Sequence, residues 1–95
     1  MYVRLVQFKL GSGKRSAAEA VADKVIPAIR KQPGCDRSEF FVDDAAGEYG
    51  FFVLWASRQA ADAAASVITP ILMPALAAAG GAASIRLFEV YEPKQ

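Results

Sequence analysis

The run Tyr49-Gly50-Phe51-Phe52-Val53-Leu54-Trp55 constrains the fold of this chain more than any other stretch. It is apolar at nearly every position and shows no alternation of period two. Its β-branched and aromatic content marks a strand, and its unbroken apolarity marks a strand covered on both faces. A chain of 95 residues has too little protein to cover both faces of a sheet by itself. A second copy of the same chain is the simplest cover. The run therefore predicts a homodimer whose interface buries roughly 2,000 Å² or more in total.

The rest of the chain supplies what that strand packs against. Residues 2–10 read as a strand, and Gly11-Ser12-Gly13 as a turn without the Lys-Ser/Thr that a phosphate loop requires. Residues 14–32 carry Ala18, Val21, Val25 and Ile29 at helical spacing, with Glu19, Asp23, Lys24 and Arg30 on the opposite side. Pro27 is expected to kink the end of that helix, and Pro33-Gly34 to stop it. Residues 36–42 and 49–56 form a strand pair around the polar turn Asp43-Asp44-Ala45-Ala46-Gly47.

Ser57 is the expected N-cap of a second helix. That helix is expected to run to about residue 67, break near Thr69-Pro70 and resume over 71–79 until Gly80-Gly81. Residues 84–92 form the last strand, and Pro93-Lys94-Gln95 a tail. The order β-α-β-β-α-β predicts a single α+β domain over residues 1–95, of ferredoxin-like type. It has a four-stranded antiparallel sheet with both helices on one face.

Composition excludes several classes of function. Hydrophobic residues make up 54% of the chain, which excludes disorder. The formal charge of +1 leaves no electrostatic footprint for nucleic acid or an anionic membrane. Tyr49-Gly50-Phe51 partly imitates the third-strand signature of RNA-recognition domains, but Gly47 or Glu48 stands where that signature opens with Lys or Arg. No apolar run reaches the ~18–20 residues of a membrane span, and no leader pattern opens the chain, so a cytoplasmic protein is expected. Cys35 is the only cysteine, so no intrachain disulfide forms.

The chain has no His and no Asn. It lacks the usual imidazole base, the usual haem ligand and the commonest zinc ligand, and it has no dinucleotide fingerprint. The expectation is no resident cofactor: no stoichiometric haem, flavin or transition metal. Asp43 and Asp44 sit in a solvated turn, and Glu89 and Glu92 lie on or beside the last strand. None of the four is placed for general acid–base work. Cys35 reads as a small buried hydrophobe.

Two kinds of residue stay open on this reading. Arg4 and Arg86 lie within apolar strands, where each is an anion or carbonyl anchor in a pocket, one half of a structural ion pair, or a snorkelled edge position. Trp55 ends the buried strand, where it is either core or the wall of a cavity to which its indole N–H turns.

Taken together, Leu10-Gly11-Ser12-Gly13-Lys14, Pro33-Gly34-Cys35, Leu54-Trp55-Ala56-Ser57-Arg58-Gln59-Ala60 and Thr69-Pro70 make residues 2–92 resemble the antibiotic-biosynthesis monooxygenase family. The resemblance implies a dimeric α+β barrel in which two sheets pack face to face. It also implies an apolar cavity between each sheet and its helices, with the strand-three Trp, here Trp55, facing it. By strand parity Phe51 and Val53 would join Trp55, and Tyr2, Arg4, Val6 and Phe8 would line the cavity from the first strand. Val3, Leu5, Phe52 and Leu54 would meet the partner.

Among these, Trp55, Phe51, Val53, Arg4, Val6 and Phe8 are the candidate substrate-binding residues. Members often carry Glu two residues before the Trp, where Val53 stands here. Many carry His around the positions of Ala64 or Ala65 and of Ile71. The haem-degrading branch uses Asn near the position of Val6.

The quinone-forming branch oxidises phenols with O₂ and no cofactor. The resemblance thus implies a small-molecule-binding protein, a cofactor-independent monooxygenase for an aromatic or quinone-like substrate. The alternative is a non-catalytic dimeric binding or stress-response domain on the same fold. No catalytic residue is assigned.

Overall fold

The computed structural model of the chain describes residues 1–94; Gln95 of the expected tail lies outside the described residues. The elements are β1 (Tyr2–Lys9), α1 (Arg15–Arg30), β2 (Cys35–Asp43), β3 (Glu48–Trp55), α2 (Arg58–Ala79) and β4 (Ala83–Glu89). The four strands form one antiparallel sheet in the order β2-β3-β1-β4. This is the ferredoxin-like arrangement that the sequence predicts.

Register sorts the side chains onto two faces, because residues paired across antiparallel strands point the same way. Four rows cross the helix side of the sheet. They are Cys35–Trp55–Tyr2–Glu89, Ser38–Val53–Arg4–Leu87, Phe40–Phe51–Val6–Ile85 and Val42–Tyr49–Phe8–Ala83. The core lies between these rows and the helices.

The other face presents Leu54, Val3 and Phe88 in one row and Phe52, Leu5 and Arg86 in the next. No element of this chain covers it, so Phe88 is 38% exposed and Phe41 37%. Gly50 has a structural reason there. A Cβ on it would collide with the Phe41 ring and the Val6 carbonyl, so glycine lets that ring lie against the sheet.

Helix α1 buries Ala18, Val21, Ala22, Val25, Ile26 and Ile29, one stripe at three- and four-residue steps. Pro27 lies on its exposed side, where water can satisfy the carbonyl the ring leaves unpaired. Arg30 near its C-terminus ties the helix to β2. Its Nε donates to Ser38 Oγ at 3.1 Å and its Nη2 to the Ser38 carbonyl at 3.2 Å. Those bonds satisfy Ser38, a polar side chain only 4% exposed.

In the hairpin between β2 and β3, Arg15 pairs with Asp44 at 2.9 Å and with Glu19 at 2.9 Å. Asp44 is therefore half of a solvated ion pair. At α2 the expected cap is present: Ser57 Oγ accepts from the Ala60 N–H at 3.1 Å.

One expectation about α2 needs correction. The helix does not break at Thr69-Pro70; it runs without interruption for 22 residues. Its buried stripe of Ala61, Ala64, Ile68, Leu72, Ala75 and Leu76 spans both internal prolines. Pro70 and Pro74 lie on the exposed side, so the packed stripe holds the helical path while solvent takes the freed carbonyls. By length and composition the helix could cross a membrane, a test that core helices also meet, and in this fold it serves as a core layer.

Helix α2 ends at Gly80, whose φ of 84° places it in the left-handed region. The last strand stops at Glu89, three residues earlier than expected. Glu89 pairs with Tyr2, the first residue of β1, and one further backbone bond, from the Val90 N–H to the Met1 carbonyl at 2.9 Å, follows before the first strand runs out.

Candidate ligand cavity

Between the sheet and α2 lies a cavity of about 90 Å³. Its floor is the first three rows of the helix-side face: Trp55; then Val53 and Arg4; then Phe51, Val6 and Ile85. Helix α1 closes one side with Val25 and Ile29. Helix α2 forms the roof, with Ala61, Ala64 and Ala65 above the indole and Ile68, Thr69 and Leu72 further along. Alanine at three successive roof positions is why the space exists, because a methyl cannot span the gap that a Leu or Met would fill. Ile85 lines the cavity yet is 42% exposed, so the cavity opens to solvent beside β4.

Polar groups in this lining are few, and all can donate. Trp55 is 3% exposed and its indole N–H has no acceptor. A buried N–H left unpaired costs about 1–3 kcal/mol. Arg4 reaches across the sheet to the first turns of α2. Its Nη2 donates to the Ala61 carbonyl at 3.4 Å and lies 3.7 Å from Asp62 Oδ1. Both contacts are longer than a charge-assisted bond of about 2.7–2.9 Å. Asp62 is also shared with Arg58, at 3.8 Å. The guanidinium is thus loosely tethered at the cavity wall. Thr69 adds a hydroxyl. Among the described residues, no carboxylate, thiol, amine or phenol lines this space.

Five of the six sequence-derived candidates, Trp55, Phe51, Val53, Arg4 and Val6, meet at this cavity. Phe8 does not reach it. It lies in the fourth row, its ring centroid 5.9 Å from that of Tyr49, 6.0 Å from Phe51 and 6.3 Å from Phe40. Strand parity places Phe8 on the correct face, but two rows beyond Arg4 the layer is filled by these rings.

Tyr2 shares the face but does not line the cavity. Arg86 points to the opposite face and stacks on Phe88, its guanidinium carbon 4.6 Å from the ring centroid. Tyr91 is 74% exposed. Cys35 pairs with Trp55 in register but lies outside the lining. Burial pushes its thiol pKa up, Arg30 lowers it by less, and Asp36 adds the smallest raise, so it stays protonated at neutral pH.

The roof residues Ile68, Thr69 and Leu72 were not foreseen. They follow from Ala61, Ala64 and Ala65 by continuing the helical steps of three and four, and the expected break at Pro70 concealed that continuation.

A haem does not fit this site: no residue of the lining is an iron ligand, and the volume is far below that of a porphyrin. Among the described residues no group of three potential metal ligands occurs.

A ferredoxin-like sheet with an apolar cavity under its second helix defines a class of small α+β proteins. The sequence profile of the family described as antibiotic biosynthesis monooxygenase matches residues 1–66, and the chain belongs to that family. No curated protein sequence matches it.

Solved structures share the fold at low identity. A Deinococcus radiodurans protein assigned to the same family superposes with a TM-score of 0.83 at 15% identity, over 100% of this chain and 97% of that one. SnoaB of Streptomyces nogalater, a cofactor-independent oxygenase, gives 0.73 at 19%, over 97% and 94%. Rv0793 of Mycobacterium tuberculosis gives 0.71 at 20%, over 100% of both chains.

Proposed function

We propose that this protein binds a planar hydroxy-aromatic or quinone-like molecule in the cavity under α2 and oxygenates it with O₂ alone, as a homodimer. The observation that carries the reading is an apolar cavity walled by Trp55 whose only charge, among the described residues, is Arg4. An apolar slot with convergent donors suits a flat ring bearing an acceptor oxygen.

Arg4 and the Trp55 N–H would hold that oxygen as an anion, which raises the electron density of the ring that O₂ attacks. In the net reaction one oxygen atom becomes a new ring carbonyl. The other leaves as water with the two hydrogens lost from ring carbon and hydroxyl, so no external reductant is consumed. The cavity is smaller than the ~150 Å³ space that holds one benzene. One ring of a larger ligand would enter while the remainder lies in the opening beside Ile85.

The homodimer reading rests on the uncovered face bearing Val3, Leu5, Phe52 and Leu54, all half-buried in the single chain, together with Phe41 and Phe88. A sedimentation run that gives the mass of one chain at low micromolar concentration would overturn it.

A second reading, non-catalytic binding on the same fold, is favoured by one observation: the lining contains no base. Two measurements with a hydroxynaphthoquinone and the corresponding naphthalenediol separate these readings. Trp55 is the only Trp, so saturable quenching of its emission reports entry into the cavity. Oxygen uptake at a rate proportional to protein reports turnover. Trp55→Phe should keep the fold and weaken binding by about fivefold to tenfold, the worth of one hydrogen bond to an anion at its lower end. Unchanged emission at saturating ligand would move the site elsewhere. Quenching without oxygen uptake would leave the binding reading alone.

A further inference from the structure

We infer that two copies of this chain stack with their two-fold axis along the strands, so that the β2 edge of each lies over the β4 edge of its partner and two Glu39–Arg86 ion pairs close the interface. The inference rests on the homodimer reading and goes on to say which side chains of the uncovered face meet.

That face is apolar at its centre, where Val3, Leu5, Phe52 and Leu54 adjoin. Its charges are placed with opposite signs about the midline between β3 and β1. In the row of Phe52 and Leu5, Glu39 stands on the β2 edge and Arg86 on the β4 edge. At the far end, Glu48 stands on β3 and Lys9 on β1. All four charged residues are exposed.

An axis along the midline carries each residue to the same row on the opposite side. Glu39 then meets the partner's Arg86, and Glu48 meets the partner's Lys9. Each pair occurs twice, so opposite charges rim an apolar centre, the pattern that selects one partner orientation. Size matches as well. The Phe41 ring, which lies over Gly50 at the β2 edge, meets the small Ser84 of the partner's β4 edge. Packed sheets lie about 10 Å apart, a gap that Glu and Arg reaching from the two sides can bridge.

An axis across the strands fails by charge. Centred on the row of Phe52 and Leu5, it sets Glu39 on the partner's Glu39 and Arg86 on the partner's Arg86. Shifted toward Gly50, it buries Glu48 and Lys9 against the partner's Leu54 and Val3. Shifted toward Leu54, it leaves Phe41 uncovered.

Within one chain neither group is strongly engaged. Glu39 lies 3.6 Å from the exposed Arg37. Arg86 stacks on Phe88 and has no carboxylate partner among the described residues. Three strand spacings, roughly 14 Å, keep Glu39 and Arg86 of the same chain apart.

The test compares the parent, Glu39→Arg, Arg86→Glu and an equimolar mixture of the two variants by sedimentation and native mass spectrometry. Either substitution alone sets like charges face to face at both edges. Each variant should self-associate about tenfold or more weakly than the parent, two exposed pairs having turned from attraction to repulsion. In a mixed dimer every edge pair is again opposite in sign. The mixture should therefore regain about the parent affinity, with heterodimers well above the statistical half. Neither misfolding nor a contact inside one chain can produce that recovery.

A mixture that associates no better than either variant alone would overturn the arrangement. So would single variants that self-associate as tightly as the parent. In both cases a dimeric parent leaves the homodimer reading standing. A parent that sediments at the mass of one chain would overturn that reading and this inference together.

Discussion

The layer between helices and sheet has two ends built on opposite principles. At one end Phe8, Phe40, Tyr49 and Phe51 fill the space with rings whose centroids lie 5.3–6.4 Å apart. At the other, Trp55 and Arg4 face a roof of alanines and a cavity remains. Both ends hide a polar atom without a partner, the Tyr49 hydroxyl and the Trp55 indole N–H. The same local feature has different consequences. The Tyr49 hydroxyl sits among packed rings where no ligand can reach it. The indole borders free volume that opens to solvent beside Ile85. An orphaned polar group points to a binding site when space adjoins it, and otherwise records only a tolerated cost.

The largest expected effect tests the packed end. Phe8→Ala removes a ring only 3% exposed and should lower stability by about 3–5 kcal/mol in denaturant titration. Ligand affinity of the folded fraction should stay unchanged, because Phe8 does not line the cavity. If affinity fell as well, the two ends would not be independent and the contrast would fail.

An intermediate effect tests the open end. Ala64→Leu places a bulky side chain into the cavity from a roof position 2% exposed. Binding of the hydroxynaphthoquinone should weaken by more than about tenfold, while stability shifts by no more than about 1–3 kcal/mol. A loss of stability comparable to that of Phe8→Ala would mean that α2 is packed as tightly as the aromatic end.

The smallest effect separates the two orphaned atoms. Tyr49→Phe removes an unsatisfied hydroxyl and nothing else, so thermal stability should stay within about 1 kcal/mol of the parent, on the stabilising side. A marked destabilisation would show that the hydroxyl has a partner in solution.

Much of this organisation was legible in the residues. The run from Tyr49 to Trp55 marked the central strand, the periodicity of Ala18, Val21, Val25 and Ile29 marked the buried face of α1, and Ser57 marked the start of α2. Strand parity placed Arg4, Val6, Phe51, Val53 and Trp55 on one face, and all five border the cavity. It could not distinguish Phe8 from them, because parity fixes the face of a side chain and says nothing of what fills the space above it. It was equally silent on Arg86 until register showed that it sits opposite Leu5, on the other face. The prolines of α2 misled for a related reason. Their local cost is real, yet the stripe from Ala61 to Leu76 packs on both sides of them and outweighs it.

The chain by itself determined the element order, the two-faced character of β3 and the absence of an imidazole base. These follow from hydrophobic period and residue type, which are local properties. Only the tertiary structure decided that α2 continues through Pro70, that Thr69 and Ile85 join Trp55 around one opening, and that Arg4 rests weakly on Asp62. Each depends on distances between segments far apart in the chain. Such distances are set by how side-chain volumes fill the space between layers, a sum over many residues that no single stretch contains.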